Sequence, residues 1–224
     1  MKFFVGVVTA AMLALPAFSQ KGADARLKAA TEDLHDMMQA SDKGIPQDLF
    51  ERATCVVVVP NLKKAGFVVG GEYGAGFFTC RKPSGVGWSA PGSLKITGGK
   101  IGFLIGGAET DVIMLVMNKS GMEHLLSDKF KMGAEASAAA GPIGRDASAM
   151  TDAELHAEIL TYSRQRGLYG GLDLSGTAVT QDSDSNRELY GKDISNKEIV
   201  MGDTHTPAEA EAFTHELSRI SSRK

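Results

Sequence analysis

Two cysteines, one tryptophan and five histidines in 224 residues leave little material for metal or thiol chemistry. The histidines (His35, His124, His156, His205 and His215) are scattered, with no HExxH, no His-x-x-x-His and no Cys/His cluster. Zinc sites draw on such ligands at short spacing, so neither a metal site nor a cofactor is expected. No nucleophile has a recognisable base beside it, and no enzyme is expected either. Glu109 and Asp111 come nearest to an acid/base or cation-binding pair, because residues two apart share a strand face. The sequence places no further carboxylates near them.

A surplus of positive charge is also missing, with 24 Lys and Arg against 27 Asp and Glu. Binding along a nucleic-acid backbone runs on cationic side chains, so a nucleic-acid partner is excluded. The charge is unevenly spread. Residues 60–131 carry nine basic and five acidic side chains, whereas 145–224 carry nine basic and fourteen acidic.

Long apolar runs are confined to the start of the chain. There Lys2, the run Phe3–Leu15, Pro16 and the small-x-small Ala17-Phe18-Ser19 have the pattern of a secretory leader cut after Ser19. The run is shorter than the roughly 17–25 residues a spanning helix needs. No cysteine follows it to carry a diacyl anchor. The expectation is a single domain over 20–224, exported to the periplasm or the exterior and peripheral to a membrane.

Glycine, by contrast, is plentiful at 26 residues. Between Cys55 and Gly144 short β-branched and aromatic runs (Val56–Val59, Phe67–Val69, Phe77–Phe78, Ile101–Ile105, Val112–Met117) alternate with glycine clusters, at spacings too short for crossover helices. The fold class predicted is α+β, a mostly antiparallel, glycine-rich β-sheet or barrel-like core with flanking N- and C-terminal helices. Gly66, Gly70 and Gly74 recur every four residues, as do Gly98, Gly102 and Gly106. On strands this spacing bares one face, to be filled by a neighbouring aromatic such as Phe77 or Trp88, or by a ligand tail. Trp88 itself reads as an interfacial anchor or a core plug. Cys55 and Cys80 fall at strand ends. They either bridge, closing a loop of about 25 residues for about 3 kcal/mol, or stay as two thiols.

Helices are predicted at 24–42 from Leu27, Ala30, Leu34, Met37 and Met38, and at the C-terminus from Phe213, Leu217 and Ile220. The second has Thr206 as cap, Pro207 at its first position and Glu209 closing a capping box. Ser120 and Glu123 suggest another capped helix. Thr151 and Glu154 suggest a cap, although Ile159–Thr177 reads better as strand, turn and strand. Lys129–Ala140 reads as a crowded central strand, and Val56–Val59 as ending at Pro60-Asn61, with Lys63 and Lys64 in the connection that follows.

Lys63, Lys64, Arg81 and Lys82 are therefore candidates for a basic strip facing an anionic membrane surface. Arg164 and Arg166, flanked by Tyr162 and Tyr169, form the best local anion-binding cluster.

Several blocks occur in a consistent order: Gly-Gly-x-Tyr-Gly-x-Gly at 70–76, Ile105-Gly-Gly-Ala-Glu-Thr-Asp111, Val116-Met-Asn118, and Gly133–Gly144 running into Arg145. Tyr162-Ser163-Arg164-x-x-Gly167-Leu168-Tyr169-Gly170-Gly171 and Asn186-x-x-x-Tyr190-Gly191 complete the set. Over about 28–220 the chain resembles the SYLF domain, also called the Ysc84 actin-binding domain. The resemblance implies lipid binding, narrowed here to anionic phospholipid as a class, with Arg164 as the best single carried-over residue. The alternative expectation is a non-enzymatic envelope structural or protein-interaction module.

Overall fold

The run Val56–Val59 lies in the middle of a sheet, where β-branched side chains pack against neighbours on both faces. The computed structural model describes residues 22–40, 44–66, 69–84, 86–101, 106–144, 150–165 and 168–221. The predicted leader (1–19), Gly102, Arg166 and parts of the runs 67–69 and 101–105 lie outside the described residues.

Among these residues the strands are β1 (Cys55–Gly66), β2 (Val69–Cys80), β3 (Gly92–Ile101), β4 (Gly106–Val116), β5 (Lys129–Lys131), β6 (Ala138–Ala140), β7 (Ile159–Gln165), β8 (Leu168–Gly171) and β9 (Ala178–Gln181). They form one sheet in the order β5-β9-β3-β2-β1-β4-β7-β6, with β8 also on β7. Every pairing is antiparallel except β6 with β7. The helices are α1 (Ala23–Gln39), α2 (Gln47–Arg52), α3 (Lys119–Leu125), α4 (Asp152–His156), α5 (Ser183–Tyr190), α6 (Asn196–Met201) and α7 (Ala208–Ile220). The α+β class and the mostly antiparallel, curled sheet are as the sequence predicts.

Alternation along each strand builds two cores, one on each face. The outer face presents Val56, Val58, Phe77, Ile113 and Leu115 to Leu27, Ala30, Leu34 and Met37 of α1, Phe50 of α2, and Phe213 and Leu217 of α7. The inner face, around which the sheet curls, gathers Val57, Val59, Leu62, Phe78, Leu94, Ile96, Val112 and Met114 with Phe130 of β5 and Ile199 of α6. Burying such side chains contributes about 1.5–3 kcal/mol each.

β1 does not end at Pro60-Asn61. Val59 pairs with Val112 and Leu62 with Thr110, so two residues of β1 stand opposite Asp111 alone. This bulge suits both its residues. Pro60 has no N–H to give a ladder, and Asn61 takes a left-handed φ of 52°, a conformation Asn tolerates better than most residues. The extra residue turns both Val59 and Leu62 to the inner face. There they close over Gly74: a Cβ on it would sit 2.6 Å from Leu62 Cδ1 and 2.7 Å from Val59 Cγ1. At Gly74 the filler is therefore aliphatic and comes from β1.

Other local expectations are corrected. Lys129–Ala140 is not a central strand: Gly133 at φ +77° turns the chain, and β5 and β6 lie at opposite ends of the sheet order. Asn118, not Ser120, caps α3 by accepting from Gly121 N at 2.9 Å. Pro207 is the N-cap of α7, with no side-chain cap bond. Thr151 and Glu154 do form a capping box on α4, immediately before the β7–β8 hairpin. Trp88 is a core plug, edge-on to Phe50 with ring centroids 6.3 Å apart. Cys55 and Cys80, directly opposite in the β1–β2 ladder, are bridged.

Candidate functional site

The bulge decides where the predicted basic side chains go. Because Lys63 and Lys64 are strand residues, consecutive positions point to opposite faces. Lys63 is on the outer face, opposite Glu109 in the ladder and 3.9 Å from it. Lys64 is on the inner face, paired at 3.5 Å with the buried Glu72. A Cβ on Gly98 would lie 2.8 Å from Glu72 Oε1, so that glycine makes room for the carboxylate. Arg81 stacks on Trp88, its guanidinium carbon 3.9 Å from the ring centroid, and donates through Nη1 to the Ser221 carbonyl at 2.9 Å. It ties the end of α7 to the disulfide end of the sheet. Lys82 is exposed on the following turn. Arg164 reaches α1, with Nη1 2.8 Å from Asp36 and 3.8 Å from Asp33. Lys64 thus faces away from Lys63, Arg81 and Arg164, and carboxylates or backbone engage all four.

Two other arrangements do form on the outer face. The first is a charged cluster where α1 crosses the sheet. Asp111 of β4 is the ladder partner of Arg164 on β7 and accepts from Asn61 N at 3.0 Å. Asp33 of α1 is buried against them, and no donor reaches its Oδ2. Burial and then the Asp111 charge push the Asp33 carboxyl up to about 7, although Arg164 pulls the other way. The predicted pair Glu109 and Asp111 is thereby divided between Lys63 and this cluster. No group of three or more side chains placed so that they could hold a metal ion is found among the described residues. The signal that could have found Asp33 was its place on the buried stripe of α1, one position before Leu34.

The second arrangement is the end of β1–β4 beyond the bulge. On the outer face one cross-strand row runs Thr97–Tyr73–Lys63–Glu109. All four are exposed, while their strand neighbours Leu62, Glu72 and Thr110 are buried. The next outward-facing row pairs Gly99 with Gly71, Gly71 with Ala65 and Ala65 with Gly107. Cβ atoms added to Gly71 and Gly99 would meet nothing nearer than 3.7 Å and 4.0 Å. The result is a flat strip of sheet in which backbone and one tyrosine are the main features.

Comparison with known proteins is consistent with this fold and its motifs. Residues 97–220 match the family model Ysc84, described as Las17-binding protein actin regulator. SH3 domain-containing YSC84-like protein 1 of Homo sapiens is 32% identical over 195 residues, covering 82% of this chain and 56% of that protein. LAS seventeen-binding protein 3 of Saccharomyces cerevisiae is 30% identical over 170 residues, covering 75% of this chain and 37% of that protein. The chain thus spans about half the length, or less, of these relatives. The family match extends from the middle of β3 through α7, more than half of the sequence, and on that ground the chain belongs to the Ysc84 (SYLF) family.

Proposed function

We propose that this protein is a protein-interaction module and that the partner docks on the outer face of β1–β4 beyond the bulge. The observation that carries the reading is the row Thr97–Tyr73–Lys63–Glu109, exposed on all four strands of an otherwise well-covered sheet. A centrally placed tyrosine is the residue type that anchors protein interfaces, and the flanking opposite charges set orientation more than affinity. The glycine row beside it lets another backbone come close. A relative named for binding LAS seventeen, and a family described as Las17-binding, support a protein partner over a small ligand. The leader-like N-terminus and the buried disulfide support a setting outside the cytosol.

Binding to anionic phospholipid is the competing reading, and it needs several cations on one exposed surface. Their placement supports it less. The test is paired. Tyr73→Ala with Lys63→Glu is expected to weaken binding of a purified partner at least about tenfold, at unchanged thermal stability. Vesicles of phosphatidylglycerol should fail to sediment the protein at low salt. Salt-sensitive sedimentation, together with partner binding indifferent to both substitutions, overturns the proposal.

A further inference from the structure

The cluster under α1 holds three carboxylates (Asp33, Asp36 and Asp111) around one guanidinium, Arg164. One positive charge cannot balance three negative ones. Asp36, half-exposed at the rim, takes the close contact at 2.8 Å, leaving Asp33 at 3.8 Å from the same nitrogen. Asp111 has the Asn61 amide as its own donor. Asp33 is buried with no donor on its Oδ2, and burial together with the Asp111 charge favours its protonated form. From this geometry we infer that α1 is fastened to the sheet by a proton-operated latch, in which Asp33 keeps its proton while docked beside Asp36, Asp111 and Arg164, and α1 loosens when that proton leaves.

The surroundings make the latch local. The start of α1 is held elsewhere: Ala23 N donates to Glu188 Oε1 of α5 at 2.8 Å, and Arg26 bonds Ser185. Toward α7, His35 lies 2.9 Å from Glu216, whose Oε1 is also 2.6 Å from Arg219. Asp33, by contrast, shares the buried stripe of Ala30, Leu34 and Met37 that packs on the sheet. Ionising it sets two facing negative charges into the half of α1 that has no anchor on α5.

The direction in pH follows from linkage. A group that holds its proton more tightly when docked than when free favours docking at low pH, and loses that contribution as pH rises through the docked value. With Asp33 raised from 3.8 to about 7, the latch is closed at pH 5.5 and open at pH 8. At pH 8 the ionised form outweighs the protonated one by about tenfold.

Hydrogen exchange of the intact protein tests this, with amides 23–39 compared to those of β1 and β2 and corrected for intrinsic rates. Wild-type α1 should lose about tenfold protection between pH 5.5 and 8 while β1 and β2 keep theirs. Asp33→Asn supplies a neutral donor in place of the protonated carboxyl and should flatten the dependence to under about threefold. Asp111→Asn should flatten it as well, and serves if the first variant does not fold. Unchanged α1 protection in the wild type overturns the latch. So does a pH step that survives in both variants.

Discussion

Phe77 and Tyr73 lie four residues apart on the same face of β2, yet Phe77 is fully buried and Tyr73 is 38% exposed. The same contrast runs across the sheet. Toward the disulfide, the outer face of β1–β4 carries Val56, Val58, Ile113 and Leu115 under α1, α2 and α7. Beyond the Pro60-Asn61 bulge it carries Lys63, Thr97, Glu109 and Gly71, all exposed. The inner face shows no such division, because the bulge sends Leu62 inward and the alternation resumes with Glu72 and Thr110 buried. One extra residue in β1 marks where the helix-covered part of the outer face gives way to its open part. Large apolar side chains stop where the helices stop, which is what burial energetics requires.

The contrast can be broken by substitution. Phe77→Ala should cost the most, about 3–5 kcal/mol, since it removes a ring from between α1 and the sheet; urea unfolding would read this as a lower midpoint at constant slope. Opening the Cys55–Cys80 bridge, by Cys55→Ser with Cys80→Ser, should cost about 3 kcal/mol through the unfolded chain. In the wild type, reductant in the same titration should reproduce the loss. Gly76→Ala should cost about 1–3 kcal/mol, because its Cβ would run into the Val58 carbonyl oxygen, whereas on Gly71 it would meet the Gly98 carbonyl oxygen at an ordinary 3.7 Å and Gly71→Ala should fall within about 0.5 kcal/mol of wild type. Thermal melts of this pair place the boundary between closed and open strand. Tyr73→Ala should change stability little, by under about 1 kcal/mol, despite its size. A loss as large as that of Phe77→Ala would mean that Tyr73 belongs to the folding core and is no docking residue.

Much of this was legible beforehand, for reasons that are local. Val56–Val59 and Val112–Met117 announce strands through β-branching, and Leu27, Ala30, Leu34 and Met37 announce α1 through their spacing. Thr151 and Glu154, three residues apart, announce the capping box of α4. The candidate site was less legible. Pro60-Asn61 carries the ordinary signal of a strand end, and a bulge is told from a terminus only by what stands across the ladder. Sequence alone places Lys63 and Lys64 side by side in a connection, whereas strand geometry sends one to Glu109 and the other to Glu72. Lys129–Ala140 looked central from its small residues, although β5 and β6 close opposite ends of the sheet.

The sequence by itself determined that this chain is α+β, that its strands pair largely antiparallel, and that the glycine-rich blocks are those of its family. Those properties follow from side-chain period, turn residues and motif order, each readable within a few positions. The tertiary structure alone decided which charges meet. Asp33, Asp111 and Arg164 are 53 residues or more from one another along the chain. Only the docking of α1 across β4 and β7 brings their charges into one cluster, because electrostatic interaction depends on separation in space and local pattern does not encode it.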